Sequence, residues 1–329
     1  MKTQSDIKTM NIAVLYPGQG SQKVGMGTDL YNSSIIGKDI FNRVNSLLSR
    51  DLASICINGP SEELNQTKNT QIAITTISIA LTLLLKEELK KKHILFTPFA
   101  TCGHSLGEFS ALWLIGFLET EELINLVSKR GNLMQNAPPG SMMAVLNLDE
   151  NKIKQILAES EDSVSLANYN TRNQFVLSGK KDNIEKLTEK IKLNGGKAII
   201  LPVSGAFHSP LMEGPSKAFD LEIDKLNLSN LKDITIPIYQ NTDGKPSNTP
   251  AVIREKLKKQ MTSSVLWTQT INNLVNDGVT NIVEIGPGKV LTGLVKKIDS
   301  NIECHNINDL ATLQDFITYY ESKLLSTRQ

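Results

Sequence analysis

The chain has 329 residues, with 35 Lys and Arg against 34 Asp and Glu and a formal net charge of +1. This balance argues against a nucleic-acid-binding protein that works by neutralising many phosphates. The three cysteines are scattered and lack metal-ligand spacing, so we expect neither a disulfide framework nor a metal site. The polar segment 1–10 lacks the apolar stretch of a secretory signal, and the most apolar run, 77–85, is too short to span a bilayer. We therefore expect a cytoplasmic protein without a membrane partner.

Strand-like and helical patterns alternate through the first part of the chain. The apolar run Ile12–Tyr16 predicts a strand, which a helix near Leu47 and a long helix over 72–92 follow. A further helix is predicted over 121–134 and ends before the breaker cluster 137–140, Ala-Pro-Pro-Gly. Alternation of this kind is typical of a mainly parallel sheet covered by helices.

The pattern changes after the breaker cluster. Six elements are predicted in the order βαββαβ, at 142–147, 150–160, 164–169, 175–178, 183–194 and 198–203. This is the order of a ferredoxin-like subdomain. The alternative is that these elements extend the larger sheet, but their compact symmetric order favours a separate subdomain.

Strand and helix patterns of the first kind return after residue 210. Strands are predicted at 234–239 and 282–285, with helices near 253–260 and 270–277 between them. Gly286-Pro287-Gly288 then turns the last strand into a helix that begins near Val290. A strand–glycine–helix junction can bind phosphate, but this one lacks the full G-x-G-x-x-G and the P-loop spacing. A nucleotide site is therefore not predicted here.

Gly103-His104-Ser105-Leu106-Gly107 is the strongest chemical signal in the sequence. It fits the G-x-S-x-G nucleophile elbow, a strained strand-to-helix turn that presents a serine hydroxyl. The glycines suit so tight a turn because a side chain on either side would crowd it. Ser105 would lie at a helix N-terminus, where backbone N–H groups stabilise charge on a bound carbonyl oxygen. The sequence therefore predicts Ser105 as a nucleophile.

A serine nucleophile needs a base, and the chain has four histidines. His208 lies in a polar, breaker-rich loop directly after a predicted strand, where a side chain can reach a site. An ordinary surface or capping histidine is the alternative. His104 belongs to the turn itself, His93 follows a lysine-rich helix end, and His305 has no chemistry near it in sequence. We therefore predict His208 as the base.

Five motifs occur in one order along the chain. They are Pro17-Gly18-Gln19-Gly20-Ser21-Gln22, Gly103-His104-Ser105-Leu106-Gly107-Glu108, Lys129-Arg130-Gly131, Phe207-His208-Ser209-Pro210-Leu211-Met212 and Glu284-Ile285-Gly286-Pro287-Gly288-Lys289-Val290-Leu291. Together they resemble malonyl-CoA:acyl carrier protein transacylases and the related acyltransferase domains of polyketide synthases, over about residues 11–297.

The resemblance implies transfer of a malonyl group from malonyl-CoA to the phosphopantetheine thiol of acyl carrier protein, by a ping-pong mechanism through a malonyl-serine. The pathway would be fatty-acid or polyketide synthesis. No cofactor or metal would be needed, since the CoA thioester is a substrate, and we expect a monomer. The fold implied is α/β: a large α/β-hydrolase-like domain over 11–139 and 207–329 with a mainly parallel sheet, and an inserted ferredoxin-like (βαββαβ) subdomain over 140–206.

The resemblance also assigns roles to particular residues. Ser105 and His208 would form the catalytic dyad, and the backbone N–H groups of Gln19 and Leu106 would hold the oxyanion. Arg130 would grip the free carboxylate of malonate, because a guanidinium fork pairs both carboxylate oxygens. Without the resemblance, Arg130 would be interpreted as a snorkelling or salt-bridged surface residue.

Two further assignments concern the surroundings of the base. Phe207 matches the position where the family uses a bulky aromatic to exclude methylmalonyl groups. A backbone carbonyl would orient the imidazole, and we expect it from Leu266, where relatives often carry glutamine or arginine. The acidic residues between serine and histidine lie at predicted helix starts or turns, where they are expected to cap helices: Asp149, Asp162 and Asp182.

Two alternatives remain at this point. One is a hydrolase with the same dyad, in which water releases acyl chains from a carrier protein. Arg130 argues against it, because a carboxylate clamp has no use for a neutral acyl chain. The other is a non-catalytic carrier-protein docking module, against which the presence of Ser105, His208 and Arg130 argues.

Overall fold

A computed structural model describes residues 10–160, 163–228 and 234–326, so the N-terminal segment 1–10 is described only at Met10 and Asp162 lies outside. The strands are β1 (Ile12–Tyr16), β2 (Ala100–Gly103), β3 (Ser141–Leu146), β4 (Val164–Thr171), β5 (Gln174–Gly179), β6 (Lys197–Ile200), β7 (Ile238–Tyr239), β8 (Pro246–Ser247), β9 (Asn281–Ile285) and β10 (Glu303–Ile307). The helices are α1 (Thr28–Ser33), α2 (Ile35–Leu48), α3 (Leu52–Asn58), α4 (Ser61–Leu64), α5 (Thr67–Lys91), α6 (Gly107–Leu114), α7 (Thr120–Gln135), α8 (Glu150–Ala158), α9 (Lys181–Leu193), α10 (Glu213–Asp224), α11 (Pro250–Lys259), α12 (Trp267–Asn276), α13 (Val290–Ile298) and α14 (Leu310–Ser326).

The larger sheet has the strand order β10-β9-β1-β2-β7-β8. Its first five strands pair in parallel, and only the short edge strand β8 runs antiparallel. Strand β1 lies in the middle and is buried at all five positions, as parallel strands covered on both faces must be. The predicted mainly parallel sheet is therefore confirmed. The strand expected over 234–239 is shorter than predicted, and residues 229–233 before it lie outside the described part of the chain.

The smaller sheet is antiparallel, in the order β4-β5-β3-β6. Helices α8 and α9 contribute buried apolar residues to a core that this sheet shares with them and that is separate from the main core. The βαββαβ order with this strand arrangement is ferredoxin-like, which confirms the predicted fold class. The alternative of an extended large sheet is wrong. An isolated antiparallel bridge joins Pro139 and Gly205, where the chain enters and leaves this unit. The boundaries at 140 and 206 remain a prediction.

Parallel strands place their carboxyl ends at one edge of the sheet, where α/β proteins usually bind ligands. Strands β1, β2 and β7 are neighbours and end at Tyr16, Gly103 and Tyr239. The loops that carry Gln19, Ser105 and the residues after β7 therefore start side by side. Among the described residues, no helix is both long and apolar enough to cross a bilayer.

Candidate active site

The elbow between β2 and α6 holds Ser105 in a strained conformation. Its φ is +48°, in the left-handed region that non-glycine residues rarely adopt and that typically costs about 1–3 kcal/mol. A Cβ on Gly103 would lie 2.0 Å from the backbone of Gly107, and a Cβ on Gly107 would lie 2.0 Å from the carbonyl oxygen of Tyr16. Both neighbours are main chain and cannot turn away. The two glycines are therefore required for the elbow to close against β1.

The imidazole of His208 faces the serine hydroxyl. Its Nε2 lies 2.8 Å from Ser105 Oγ. Its Nδ1 lies 3.0 Å from the carbonyl oxygens of both Gln260 and Ser263, which can only accept. Nδ1 therefore carries the proton, and the lone pair of Nε2 points at the hydroxyl. Burial, and then the positive charge of Arg130, lowers the pKa of His208 to about 3, so the imidazole is a neutral base at neutral pH.

The expectation that Leu266 orients this imidazole is wrong. The carbonyl of Leu266 accepts from the backbone N–H of Thr270 at 2.9 Å and from its hydroxyl at 3.0 Å. Leu266 is the N-cap residue of α12, and the carbonyl at that position makes the first bond of the helix. The carbonyls that do receive the Nδ1 proton come from the segment just before it, at Gln260 and Ser263.

Arg130 is buried at the same site, with 1% of its surface exposed. Its Nη1 donates to Gln71 Oε1 at 2.8 Å, and its Nη2 donates to Gln260 Oε1 and to Ser105 Oγ, both at 3.0 Å. Burial lowers the pKa of the guanidinium to about 10, an effect that the carboxylate of Glu108 opposes, so the group stays charged. The interpretation of Arg130 as a surface residue is therefore wrong. The structure places a buried guanidinium within hydrogen-bond distance of the predicted nucleophile.

The two predicted oxyanion donors lie on adjoining loops. A Cβ on Gly18 would stand 2.4 Å from the carbonyl oxygen of His104, so the loop that carries Gln19 packs directly on the elbow. Among the described residues, the backbone N–H groups of Gln19 and Leu106 donate to no protein acceptor. Both are therefore available to an oxygen of a bound molecule. Their role in holding an oxyanion remains a prediction.

Gln260 contacts Ser105, His208 and Arg130, and the sequence carried no signal of it. Its Oε1 accepts from Arg130, its Nε2 donates to the carbonyl of Ser105 at 3.0 Å, and its own carbonyl accepts from His208. It directly follows helix α11 and is 1% exposed. A glutamine at a helix end belongs to no motif, and only its long-range contacts reveal that it positions the site.

Phe207 is buried directly before His208 in the chain. A Cβ on Gly205 would meet its ring at 2.4 Å, so the glycine makes room for the aromatic side chain. The contacts of the described residues do not assign the ring to an acyl pocket, so its predicted role stays a prediction. Of the three acidic residues expected to cap helices, Asp149 caps α8 by accepting from the backbone N–H of Lys152.

An open pocket of about 500 Å³ reaches His208 from the side of the smaller sheet. Most of its lining residues carry hydroxyl groups or are small: Ser165, Leu166, Tyr169, Pro210, Thr242, Thr262, Ser263, Ser264 and Leu266. Such a lining suits a flexible chain with amide groups, because hydroxyls both donate and accept hydrogen bonds.

Comparison with known proteins gives a consistent result. Residues 14–313 match the family described as acyl transferase domain. The malonyl CoA-acyl carrier protein transacylase of Bacillus subtilis (strain 168) is 40% identical over 310 residues, which cover 92% of this chain and 95% of that protein. The crystal structure of malonyl CoA-acyl carrier protein transacylase from Clostridium perfringens superposes with a TM-score of 0.88 at 33% identity, covering 97% of this chain and 100% of that one. A structure of a malonyl-transacylase in complex with a type II PKS acyl carrier protein has a TM-score of 0.85 at 32% identity, over 92% of this chain and 98% of that chain.

Proposed function

This chain belongs to the acyl transferase domain family, and we propose on that basis that it transfers a malonyl group from malonyl-CoA to acyl carrier protein. The acceptor is the thiol of the carrier's phosphopantetheine arm, and the pathway is fatty-acid or polyketide synthesis. One observation carries the proposal: Ser105 Oγ lies within hydrogen-bond distance of both a neutral imidazole and a buried guanidinium. The first activates a nucleophile, and the second recognises a carboxylate.

In the first half-reaction, the proton of Ser105 Oγ moves to His208 Nε2 as Oγ attacks the thioester carbonyl of malonyl-CoA. The tetrahedral oxyanion is held by the backbone N–H groups of Gln19 and Leu106, each worth about 2.7–4 kcal/mol of transition-state stabilisation. The intermediate collapses as the C–S bond breaks, and the CoA sulfur takes the proton from His208. A malonyl ester of Ser105 remains.

In the second half-reaction, His208 takes the proton of the phosphopantetheine thiol, and the sulfur attacks the malonyl ester. The C–O bond breaks, and His208 returns the proton to Ser105 Oγ, which completes a ping-pong cycle. The pocket beside His208 is where the pantetheine arms of donor and acceptor approach the serine. All of these groups belong to the chain itself, the thioester is a substrate, and the acceptor brings its own prosthetic arm, so the proposed cycle uses no further cofactor.

Malonyl specificity follows from Arg130 in this proposal. Its guanidinium leaves Ser105 Oγ and pairs with the malonyl carboxylate when malonyl-CoA binds, and it keeps this pair in the malonyl ester. Pairing also reduces the net positive charge that faces His208, and this raises the basicity of the imidazole only when the substrate carries a carboxylate. We assign the exclusion of branched methylmalonyl groups to the ring of Phe207.

The proposal includes a single chain acting as a monomer, since every assigned group comes from one copy. It also includes a cytoplasmic location, which the free thiols of Cys56, Cys102 and Cys304 support. The hydrolase alternative differs only in the acceptor, and the buried carboxylate-binding cation favours the transferase.

The decisive experiment is intact-mass spectrometry of the protein mixed with malonyl-CoA, followed by addition of phosphopantetheinylated acyl carrier protein. A malonyl adduct should form on wild type and move to the carrier. It should be absent in Ser105→Ala. The control Ser110→Ala, which replaces a buried serine of α6, should keep it. His208→Ala should slow both half-reactions by about 10²–10⁴-fold.

Two outcomes would contradict the proposal. A malonyl adduct that persists in Ser105→Ala would remove this residue as the nucleophile. Loss of the adduct to water at the same rate with and without carrier protein would favour the hydrolase. Parallel reactions with acetyl-CoA and methylmalonyl-CoA define the acyl specificity.

A further inference from the structure

The side chain of Asn241 bridges the two ends of the nucleophile elbow. Its Oδ1 accepts from the backbone N–H of Ser105 at 2.7 Å, and its Nδ2 donates to the carbonyl of Gly103 at 2.7 Å. These partners fix the orientation of the amide, because an N–H can only donate and a carbonyl can only accept. Asn241 is 1% exposed, so no water competes for either bond.

The side-chain amide of Asn241 extends the hydrogen bonding between β2 and β7 beyond their last backbone pair. Strands β2 and β7 pair in parallel only at Thr101 with Ile238 and at Cys102 with Tyr239. Asn241 lies two residues after the end of β7. Its side chain bonds the carbonyl of Gly103, the last residue of β2, and the N–H of Ser105 just beyond it. The elbow is thereby tied to β7 although its own backbone has left the sheet.

Asn241 is itself held by a buried carboxylate. Its backbone N–H donates to Glu108 Oε2 at 2.7 Å, and its carbonyl accepts from the backbone N–H of Leu266 at 3.0 Å. The other oxygen of Glu108 accepts from the Gln240 side chain at 3.2 Å. Glu108 is fully buried in the first turn of α6. All four polar groups of Asn241 are therefore used, and three of the bonds run to the elbow or to the helix that it starts.

We propose that Asn241 is the positioning residue that sets which backbone N–H of the elbow faces the substrate. By occupying the N–H of Ser105, it leaves the N–H of Leu106, one residue on, as the free donor at the turn. By holding Gly103 and Ser105 together, it keeps Ser105 at its φ of +48°. This inference rests on the proposed acyl transfer and adds to it a residue that acts on the nucleophile and the oxyanion donor without touching the substrate.

Two substitutions test the inference. Asn241→Ala removes both bonds and should lower kcat for malonyl transfer by about 10²–10³-fold, the usual effect of losing an oxyanion donor. The KM for malonyl-CoA should stay within about threefold, because Arg130 and the pocket are untouched. Asn241→Asp is nearly isosteric and offers a finer test if the alanine variant does not fold.

A protonated aspartic acid can repeat both bonds, with its O–H donating to Gly103 and its other oxygen accepting from Ser105. An ionised aspartate at position 241 has no proton to donate to the Gly103 carbonyl, so that bond is lost. It also adds a negative charge beside Glu108, whose charged or titratable neighbours are Arg130 and Cys102. The malonylation rate of Asn241→Asp should therefore fall at least about tenfold from pH 5.5 to pH 8.5. Wild type should be flat over this range, because the pKa of His208 lies near 3.

The control is Asn281→Asp, a buried asparagine of β9 whose amide donates to Glu303 and Tyr319, away from the elbow. It should keep the wild-type rate and pH profile. The rates are single-turnover malonylation constants from intact mass, with the folded fraction followed by near-UV circular dichroism. The inference is overturned if Asn241→Ala and Asn241→Asp acylate at the wild-type rate at pH 8, or if their losses only match the loss of folded protein. A wild type that forms no malonyl adduct would instead refute the proposed function.

Discussion

Replacing Arg130 tests specificity and activity at once. Arg130→Met keeps most of the buried volume beside the Phe109 ring, which lies 5.2 Å from the guanidinium carbon, but removes the charge. Arg130→Lys keeps the charge but not the fork that can pair two carboxylate oxygens. Malonyl transfer should collapse in the first variant and recover only in part in the second, whereas acetyl transfer should change little.

The magnitude follows from the bonds available to the guanidinium. A hydrogen bond between charged groups is worth about 1.5–3 kcal/mol, so two of them to a carboxylate contribute about 3–6 kcal/mol. At about 1.4 kcal/mol for each factor of ten, the malonyl-to-acetyl ratio of kcat/KM should fall by about 10²–10⁴-fold in Arg130→Met. Arg130→Lys retains one point-charge contact, so the ratio should fall by only about 10–10²-fold in that variant.

The assay measures kcat/KM for malonyl-CoA and acetyl-CoA with acyl carrier protein as acceptor. Lys129→Ala is the matched control, because it removes a positive charge one residue away on the surface, where Lys129 faces Glu222 at 3.7 Å. It should leave the ratio unchanged. Thermal unfolding of each variant is needed too, since loss of Arg130 leaves the buried carboxylate of Glu108 without its compensating cation.

A malonyl-to-acetyl ratio that changes by less than about threefold in Arg130→Met would refute the reasoning, because that is under 1 kcal/mol. Arg130 would then serve only to hold Ser105 and Gln260 in place. An equal loss for both acyl groups would point the same way, and the hydrolase alternative would be reopened.

Two other predictions concern the base and the elbow. The malonylation rate of wild type should stay flat from pH 8 down to about pH 5. Burial and Arg130 lower the pKa of His208 to about 3, so the imidazole stays neutral at a pH where an ordinary one would be protonated. A fall in rate centred near pH 6.5 in single-turnover measurements would contradict this prediction. Gly107→Ala should lower stability by at least about 1–3 kcal/mol in urea unfolding, because its Cβ would stand 2.0 Å from a main-chain carbonyl oxygen. The matched control is Gly293→Ala, at an exposed position of α13 with open space around the added Cβ, and it should raise stability by about 0.5–1 kcal/mol. Similar losses of stability in the two variants would show that the close approach to β1 is not what requires Gly107.

Local patterns were sufficient for the elements and for the nucleophile. The apolar run of β1 was predicted with its observed bounds, and the βαββαβ order of 141–200 followed from hydrophobic periodicity and breakers alone. Ser105 was identified because the strained turn requires glycines at fixed neighbouring positions, which is a purely local demand. Arg130 was different, since its helix pattern alone favoured the surface and only the resemblance to a family indicated that it binds a carboxylate.

The tertiary structure decided everything that depends on residues far apart in the chain. The carbonyl that orients His208 was expected at Leu266, but a carbonyl at a helix N-cap already belongs to its own helix, and the bond comes from Gln260 and Ser263 instead. Gln260 and Asn241 contact Ser105 across 155 and 136 residues, and neither belongs to a motif. Amide side chains carry no charge or periodicity that marks them in a sequence. Their function exists only once β7 and the end of α11 have been packed against the elbow.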